Sequence, residues 1–189
     1  ARALVSEGGW QEAQIANVAT TAGIATGTVY RYFPSKAELF ADVLARVSQR
    51  EVDVLTDIAA SEATAHERLH SMVTTFVQHT IRNQQLAYAL IAEPCDKAID
   101  EVRLQYRAAI SEVVRSVIGD GQTDRSMRSD VRADIAATVI VGGFMEGLIG
   151  PLSPLANTAQ LNEADQRIEI AALADQIAAL ACTSVSVKS

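Results

Sequence analysis

Residues 14–36 read QIANVATTAGIATGTVYRYFPSK, and the reading of this stretch decides the fold. Ile15, Val18, Ala19 and Ala22 recur at i, i+3, i+4 and i+7, which makes one apolar face of a helix. Gly23 suits the left-handed residue that closes that helix, because glycine has no Cβ to clash there. Ile24 is expected to drop back into the core. A second short helix opens at Ala25 or Thr26 and runs through Phe33, with Val29 and Phe33 pointing inward at i, i+4. Pro34 ends it, since proline disfavours the helical conformation for the residue before it. Two helices joined by a tight glycine turn form a helix-turn-helix, whose second helix enters the DNA major groove.

The outward residues of the second helix are Thr26, Gly27, Thr28, Tyr30, Arg31 and Tyr32. Short hydroxyls, a glycine that permits close approach, two phenols and a guanidinium can all face phosphates or base edges. None of them would bury an unpaired carboxylate against the duplex.

The literal string AGIATGTVYRYFPSKAELF closely resembles the recognition-helix signature of the tetracycline-repressor (TetR) family. The matching pieces are Ala22-Gly23, Gly27-Thr28, Tyr30-Arg31-Tyr32-Phe33 and Ser35-Lys36-Ala37-Glu38-Leu39. The match runs from about Gly9 to Arg50; the rest of the chain is similar only in architecture. The resemblance implies an all-α protein of about nine helices. Residues 1–48 would be the DNA-binding head, 49–183 an effector-binding and dimerisation body, and 184–189 a frayed tail. It implies a ligand-responsive regulator, a repressor on a pseudo-palindromic double-stranded DNA operator, that works as a homodimer, needs no cofactor and is not an enzyme. On this reading Gln14, Thr28, Tyr30, Tyr32 and Lys36 hold phosphates, while Thr26, Gly27 and Arg31 approach base edges. Family members usually carry another turn or two before the position of Ala1, so helix 1 is read as beginning further upstream. Ala13 and Ala25 stand where the family often has capping hydroxyls, and those contacts are in doubt here.

Composition agrees with this architecture. The chain has 189 residues, of which 49% are hydrophobic and only 5% aromatic, with 4 prolines and 10 glycines. That balance favours long helices with alanine-lined contacts and is far from a disordered composition. The net charge of −7 argues at first against nucleic acid, but it is unevenly spread. Residues 1–50 carry five Lys/Arg against four Asp/Glu, and residues 51–189 carry eleven against nineteen. The acid lies in the part that need not touch DNA. Cys95 and Cys182 make neither a zinc spacing nor a disulfide framework. No segment reads as a signal peptide, and the expected setting is cytoplasmic. The uncharged apolar run Ile135–Met145 is shorter than the roughly 20 residues of a membrane span, so no membrane is expected.

Along the rest of the chain, Ser35 and Glu38 form an S-x-x-E box that opens a long helix reaching about Ile58. Lys36 sits in its first turn, where a cation opposes the helix dipole, which makes sense beside a phosphate. Trp10 reads as a plug between helices 1 and 4. A third layer from Ile99 through Leu104 and Ile110 to Val117 is expected to end at Gly119-Asp120-Gly121. A helix from Asp130 to Gly150 carries a small-residue edge at Gly143 and Gly147, and the last helix a stripe of Ile170, Leu173, Ile177 and Leu180. In this family the last two helices pair with their copies in a second subunit, so these six residues are the expected dimer interface. A small-molecule effector of unstated identity is expected among Met72, Phe76, His79, Tyr88, Tyr106 and Phe144, with Met and Phe as apolar wall and His and Tyr as polar handles. No charge cluster in the sequence marks a cationic or phosphate ligand, and a largely apolar small molecule is expected.

Two other functions compete. His66-Glu67-Arg68-Leu69-His70 is a literal H-E-x-x-H, the pattern of a zinc-dependent hydrolase. Catalytic zinc takes a third protein ligand. Glu93 and His79 are the candidates, and neither stands in a second motif. The other competitor is a helical small-molecule-binding protein without DNA binding.

Overall fold

The computed structural model describes residues 1–153 and 163–187, without the side chains of 11, 12 and 163–167. Its elements are helices α1 (Arg2–Glu12), α2 (Ile15–Ala22), α3 (Thr26–Tyr32), α4 (Lys36–Ala59), α5 (Ala65–Arg82), α6 (Gln84–Ile91), α7 (Lys97–Thr123), α8 (Ala133–Leu152) and α9 (Glu163–Val185). No strand occurs among the described residues. The fold is all-α.

Three apolar clusters hold the molecule together. Ile15, Val18, Ala19, Val29 and Leu39 form the small core of the head. A waist of Val5, Trp10, Ala13, Phe40, Leu44, Leu86, Ala89 and Ile99 joins α1 and α4 to α6 and α7. The largest cluster fills the body between α5, α7, α8 and α9, with Leu69, Val77, Ile118 and Leu148 fully buried in it. The expected boundary at residue 48 therefore falls inside α4, and the waist packs across it.

Local chemistry explains most helix ends. Gly23 is left-handed at φ 67°, its N–H donates to the Thr20 carbonyl at 3.1 Å, and the Ile24 N–H donates to the Ala19 carbonyl at 3.0 Å. That closure satisfies the last carbonyls of α2. Ile24 itself is 45% exposed, against the expectation that it returns to the core. Its backbone is spent on the helix end, and its side chain is left facing outward. Ser35 Oγ accepts the Glu38 N–H at 3.1 Å and caps α4. A complete capping box stands at Thr64, whose hydroxyl accepts the Glu67 N–H while the Glu67 carboxylate accepts from the Thr64 N–H at 2.9 Å.

Several expectations for the body change. Helix α7 does not stop at Gly119-Asp120-Gly121 but continues to Thr123. Gly121 is a spacer: a Cβ there would lie 2.7 Å from Met127 Cγ and 3.0 Å from Ala65 Cβ. Met127 is buried, and its N–H is tied to the Gly121 carbonyl at 2.8 Å, so it has little room to retreat. Overpacking, at about 1–3 kcal/mol, should then outweigh the helix-propensity gain of about 1 kcal/mol. Gly121→Ala is expected to lower the urea midpoint, and a raised midpoint would show that Met127 yields freely. Leu104 is 65% exposed because it lies six residues, about 240° of helical turn, before the buried Ile110. Helix α8 begins at Ala133 rather than Asp130 and carries Pro151 in its last turn. The tail is not frayed at its start: α9 reaches Val185, whose side chain is buried and whose carbonyl accepts the Arg128 N–H at 2.9 Å. Residues 188 and 189 lie outside the described residues.

Helix α8 and residues 168–185 of α9 are as long and apolar as a membrane span, with mean hydropathies of 1.7 and 1.5, although the apolar run alone looked too short. In α8 one side of that apolar character feeds the core through Ile140, Phe144 and Leu148. The other side is an exposed stripe of Ile135, Val139 and Gly143.

Candidate nucleic-acid interface and effector cavity

Helix α3 presents its residues as a reading head requires. Val29 is buried, whereas Thr26, Gly27, Thr28, Tyr30, Arg31 and Tyr32 are all exposed. Tyr30 and Tyr32 are 50% and 70% exposed, two large aromatic side chains left facing solvent. A Cβ at Gly27 would meet nothing within 4 Å, so another molecule can come close to the backbone there. Gln14 is exposed at the N-cap of α2. Lys36 opens α4 with its Nζ 5.5 Å above the Phe40 ring, which props the ammonium beside the α4 N-terminus. All eight sequence-predicted residues thus fall on α2, α3 and the start of α4. Ala22, placed on the inner face by periodicity, is exposed.

Trp10 is the centre of the waist. Gly9, at φ 69°, kinks α1 and turns the indole inward, where it packs on Phe40 at 4.8 Å. The indole N–H donates to the Ala89 carbonyl at 2.6 Å, and the Trp10 backbone N–H donates to Glu93 Oε2 at 3.2 Å. Arg103 Nη2 donates to the same Ala89 carbonyl and, at 2.7 Å, to the Glu93 carbonyl. These carbonyls end α6, where a cation is favoured by the helix dipole. Head and body thus share one hydrogen-bonded node at the end of α6, besides being joined through α4. Sequence reasoning saw Trp10 as a plug but had no sign of its partners.

A cavity of about 330 Å3 opens beside this node, at the small end of the roughly 300–1,000 Å3 typical of small-molecule sites. Its apolar wall includes Leu44, Val47, Phe76, Leu86, Ile110 and Met145. Of the six residues expected around the effector, Phe76, His79 and Tyr106 line it. Met72, Tyr88 and Phe144 are not among its lining residues. Met72 and Phe144 are buried in the body core, Phe144 stacked 4.8 Å from Phe76, and Tyr88 packs half-buried against that core. His79 Nδ1 lies 3.2 Å from the Glu51 carboxylate, tying α5 to α4 within the cavity. The sequence reading missed Arg2, Arg82, Arg103 and Arg107, which also line it. These four arginines on one cavity run against the expectation that no charge cluster marks a cationic or phosphate ligand. Only the i, i+4 spacing of Arg103 and Arg107 could have hinted at the cluster.

The expected dimer residues separate. Leu180 is 73% exposed and Gly143 is exposed with nothing near it. Ile170, Leu173 and Ile177 are half-buried against the chain's own core, and a Cβ at Gly147 would lie 4.0 Å from Ile177 Cδ1. The buried stripe of α9 is instead Ala174, Ala178, Ala181 and Val185.

The H-E-x-x-H string is already employed. Glu67 is committed to the capping box, and the Thr64 hydroxyl and N–H hold its carboxyl below the usual range. His66 Nε2 lies 3.2 Å from Ser186 Oγ. A capping carboxylate bonded to its own N-cap is not a free general base, so the zinc-hydrolase reading loses its central residue.

Comparison with known proteins agrees with this geometry. The family model described as "Bacterial regulatory proteins, tetR family" matches residues 1–43. Over 169 residues the chain is 32% identical to the HTH-type transcriptional repressor KstR of Mycobacterium tuberculosis, covering 74% of this chain and 76% of that protein. A shorter match, 40% identical to KstR of Mycolicibacterium smegmatis, covers 47% of this chain and 43% of that one. The crystal structure of the transcriptional regulator FadR from Bacillus subtilis in complex with stearoyl-CoA has the same fold, with a TM-score of 0.78 at 17% identity over 96% of this chain and 93% of that one. The chain belongs to the tetR family of bacterial regulatory proteins and is a DNA-binding, ligand-responsive transcriptional regulator.

Proposed function

We propose that the chain is a repressor that binds a pseudo-palindromic operator as a homodimer and leaves it when a small effector fills the cavity. The observation that carries this reading is the lining of that cavity: α4, which bears the recognition unit, and α1 of the head both contribute to it together with the body. An effector there favours one placement of α4 and α1 over another, and the coupling is the difference in its affinity for the two. The similarity to the repressor KstR and the stearoyl-CoA bound to FadR support a regulator released by a small molecule. No catalytic role is assigned, and the site of action is the cytoplasm, where the chromosome lies.

Dimerisation is assigned to α8 and α9. Ile135, Val139 and Gly143 on α8, with Ile168 and Leu180 on α9, are exposed apolar or small residues on adjoining helices. Exposed apolar stripes of this kind mark association surfaces, and a two-fold pairing of them sets the spacing of two recognition helices.

The test is sedimentation and gel shift on the double variant Val139→Glu/Leu180→Glu with the region upstream of the gene. Both positions are solvent-facing in the single chain, so folding should survive. The variant should sediment as a monomer and lose at least about 100-fold in operator affinity, the lower range of avidity for two linked sites. A variant that still dimerises would move the interface elsewhere, and a monomer with full affinity would remove the dimeric mode of binding.

A further inference from the structure

We propose that the effector is an amphipathic anion, an apolar chain ending in a carboxylate or phosphate, and that Arg2 of the head shares this charged end with Arg82 and Arg107 of the body. The inference deepens the effector reading above and rests on it. The chain carries a net charge of −7, yet among the described residues four arginines line one cavity against a single carboxylate residue, Glu51, which already faces His79. Five arginines outside the cavity sit beside acids, Arg46 with Asp42, Arg68 with Asp120, Arg115 with Glu112, Arg128 with Asp130 and Arg132 with Asp134, while in the cavity only Arg103 does, with Asp100. Arg2, Arg82 and Arg107 have no ion-pair or hydrogen-bond partner among the described residues.

Arg103 adds a buried Nε without a hydrogen-bond partner, although its Nη2 is engaged at the end of α6 and its Nη1 with Asp100 on α7. Like charges gathered at one cavity repel, and an anion relieves that repulsion while taking charge-assisted hydrogen bonds. The apolar part of the ligand has its place on Phe76, Ile110 and Met145, which line the same cavity. The unusual element is Arg2. It lies on α1, so the DNA-binding head itself touches the effector, and the anion is held only when α1 stands correctly against α5 and α7.

Trp10 is the sole tryptophan and sits in the waist beside the cavity, so its fluorescence reports binding in the intact protein. The probes are laurate, lauroyl-CoA and dodecanol, which share a chain and differ in the charged end. At least one anionic probe should bind ten or more times tighter than dodecanol, since a charge-assisted hydrogen bond contributes about 1.5–3 kcal/mol and about 1.4 kcal/mol is tenfold. Preference for laurate assigns the carboxylate as the recognised group, and preference for lauroyl-CoA assigns the phosphates. Arg82→Gln and Arg107→Gln should each weaken the preferred anion by about tenfold and leave dodecanol unchanged. In Arg2→Gln the ratio of operator affinities without and with that anion should shrink towards one. Dodecanol binding as tightly as both anions, or anion affinity unchanged in both body variants, overturns the anionic assignment and leaves the effector cavity standing. An undiminished ratio in Arg2→Gln overturns the sharing with the head. Failure of all three probes to bind overturns the proposal together with the effector reading beneath it.

Discussion

Tyr30→Ala combined with Lys36→Ala is expected to abolish measurable operator binding while leaving the dimer intact. Tyr30 is half-exposed on α3 and Lys36 stands at the start of α4, so neither substitution opens a hole in the head core of Ile15, Val18 and Val29. A dimer loses four contacts at once. At about 1 kcal/mol for each hydrogen bond, the sum is about 4 kcal/mol, or roughly a thousandfold in affinity. Removal of two ammonium groups per dimer should also reduce the slope of log affinity against log salt by about two. Arg31→Ala makes the complementary control. If Arg31 reads a base edge, its loss should cost about 1–3 kcal/mol at the preferred base and relax sequence preference there, with specificity changed more than overall binding. Gel shifts across a salt series and a panel of operator variants separate the two effects. Retention of wild-type affinity in the double variant would remove α3 as the recognition helix.

Trp10→Ala is expected to be the most damaging single substitution for stability. The indole is 4% exposed, packs on Phe40 and donates to the Ala89 carbonyl. Truncation of a buried aromatic costs about 3–5 kcal/mol, a fifth or more of the roughly 5–15 kcal/mol that holds a domain folded. The lost hydrogen bond is the smaller part, because Arg103 still donates to the same carbonyl. Trp10→Phe keeps most of the packing and should cost nearer 1 kcal/mol. Urea unfolding followed by circular dichroism measures both, since fluorescence is lost with the residue. A Trp10→Ala midpoint within about 0.5 kcal/mol of wild type, the range of ordinary surface changes, would mean that the waist does not hold α1 to α6. Because α1 also carries Arg2, loosening the waist should further blunt release by the effector.

How much was legible in the sequence varied with the range of the forces involved. The helix-turn-helix was readable because its determinants are local: the i, i+3, i+4 spacing of Ile15, Val18 and Ala19, the left-handed Gly23, the cap at Ser35 and the break at Pro34 all act within a few residues. Where a local signal had two meanings, the reading failed. Gly121 looked like a helix stop and is a contact glycine, because what decides is the proximity of Ala65 and Met127. Glu67 looked like a general base and is the second half of a capping box closed on Thr64.

The sequence by itself determined the class of the molecule: an all-α regulator with a helix-turn-helix head. Only the tertiary structure decided which residues line the cavity of the body and how the head packs against it. Arg2, Arg82, Arg103 and Arg107 lie on three helices, and Trp10 and Ala89 are 79 residues apart. No periodicity relates such positions. They meet because burial of the waist and body cores fixes α1, α5, α6 and α7 around one cavity, and packing of that kind is a property of the whole chain rather than of any stretch of it.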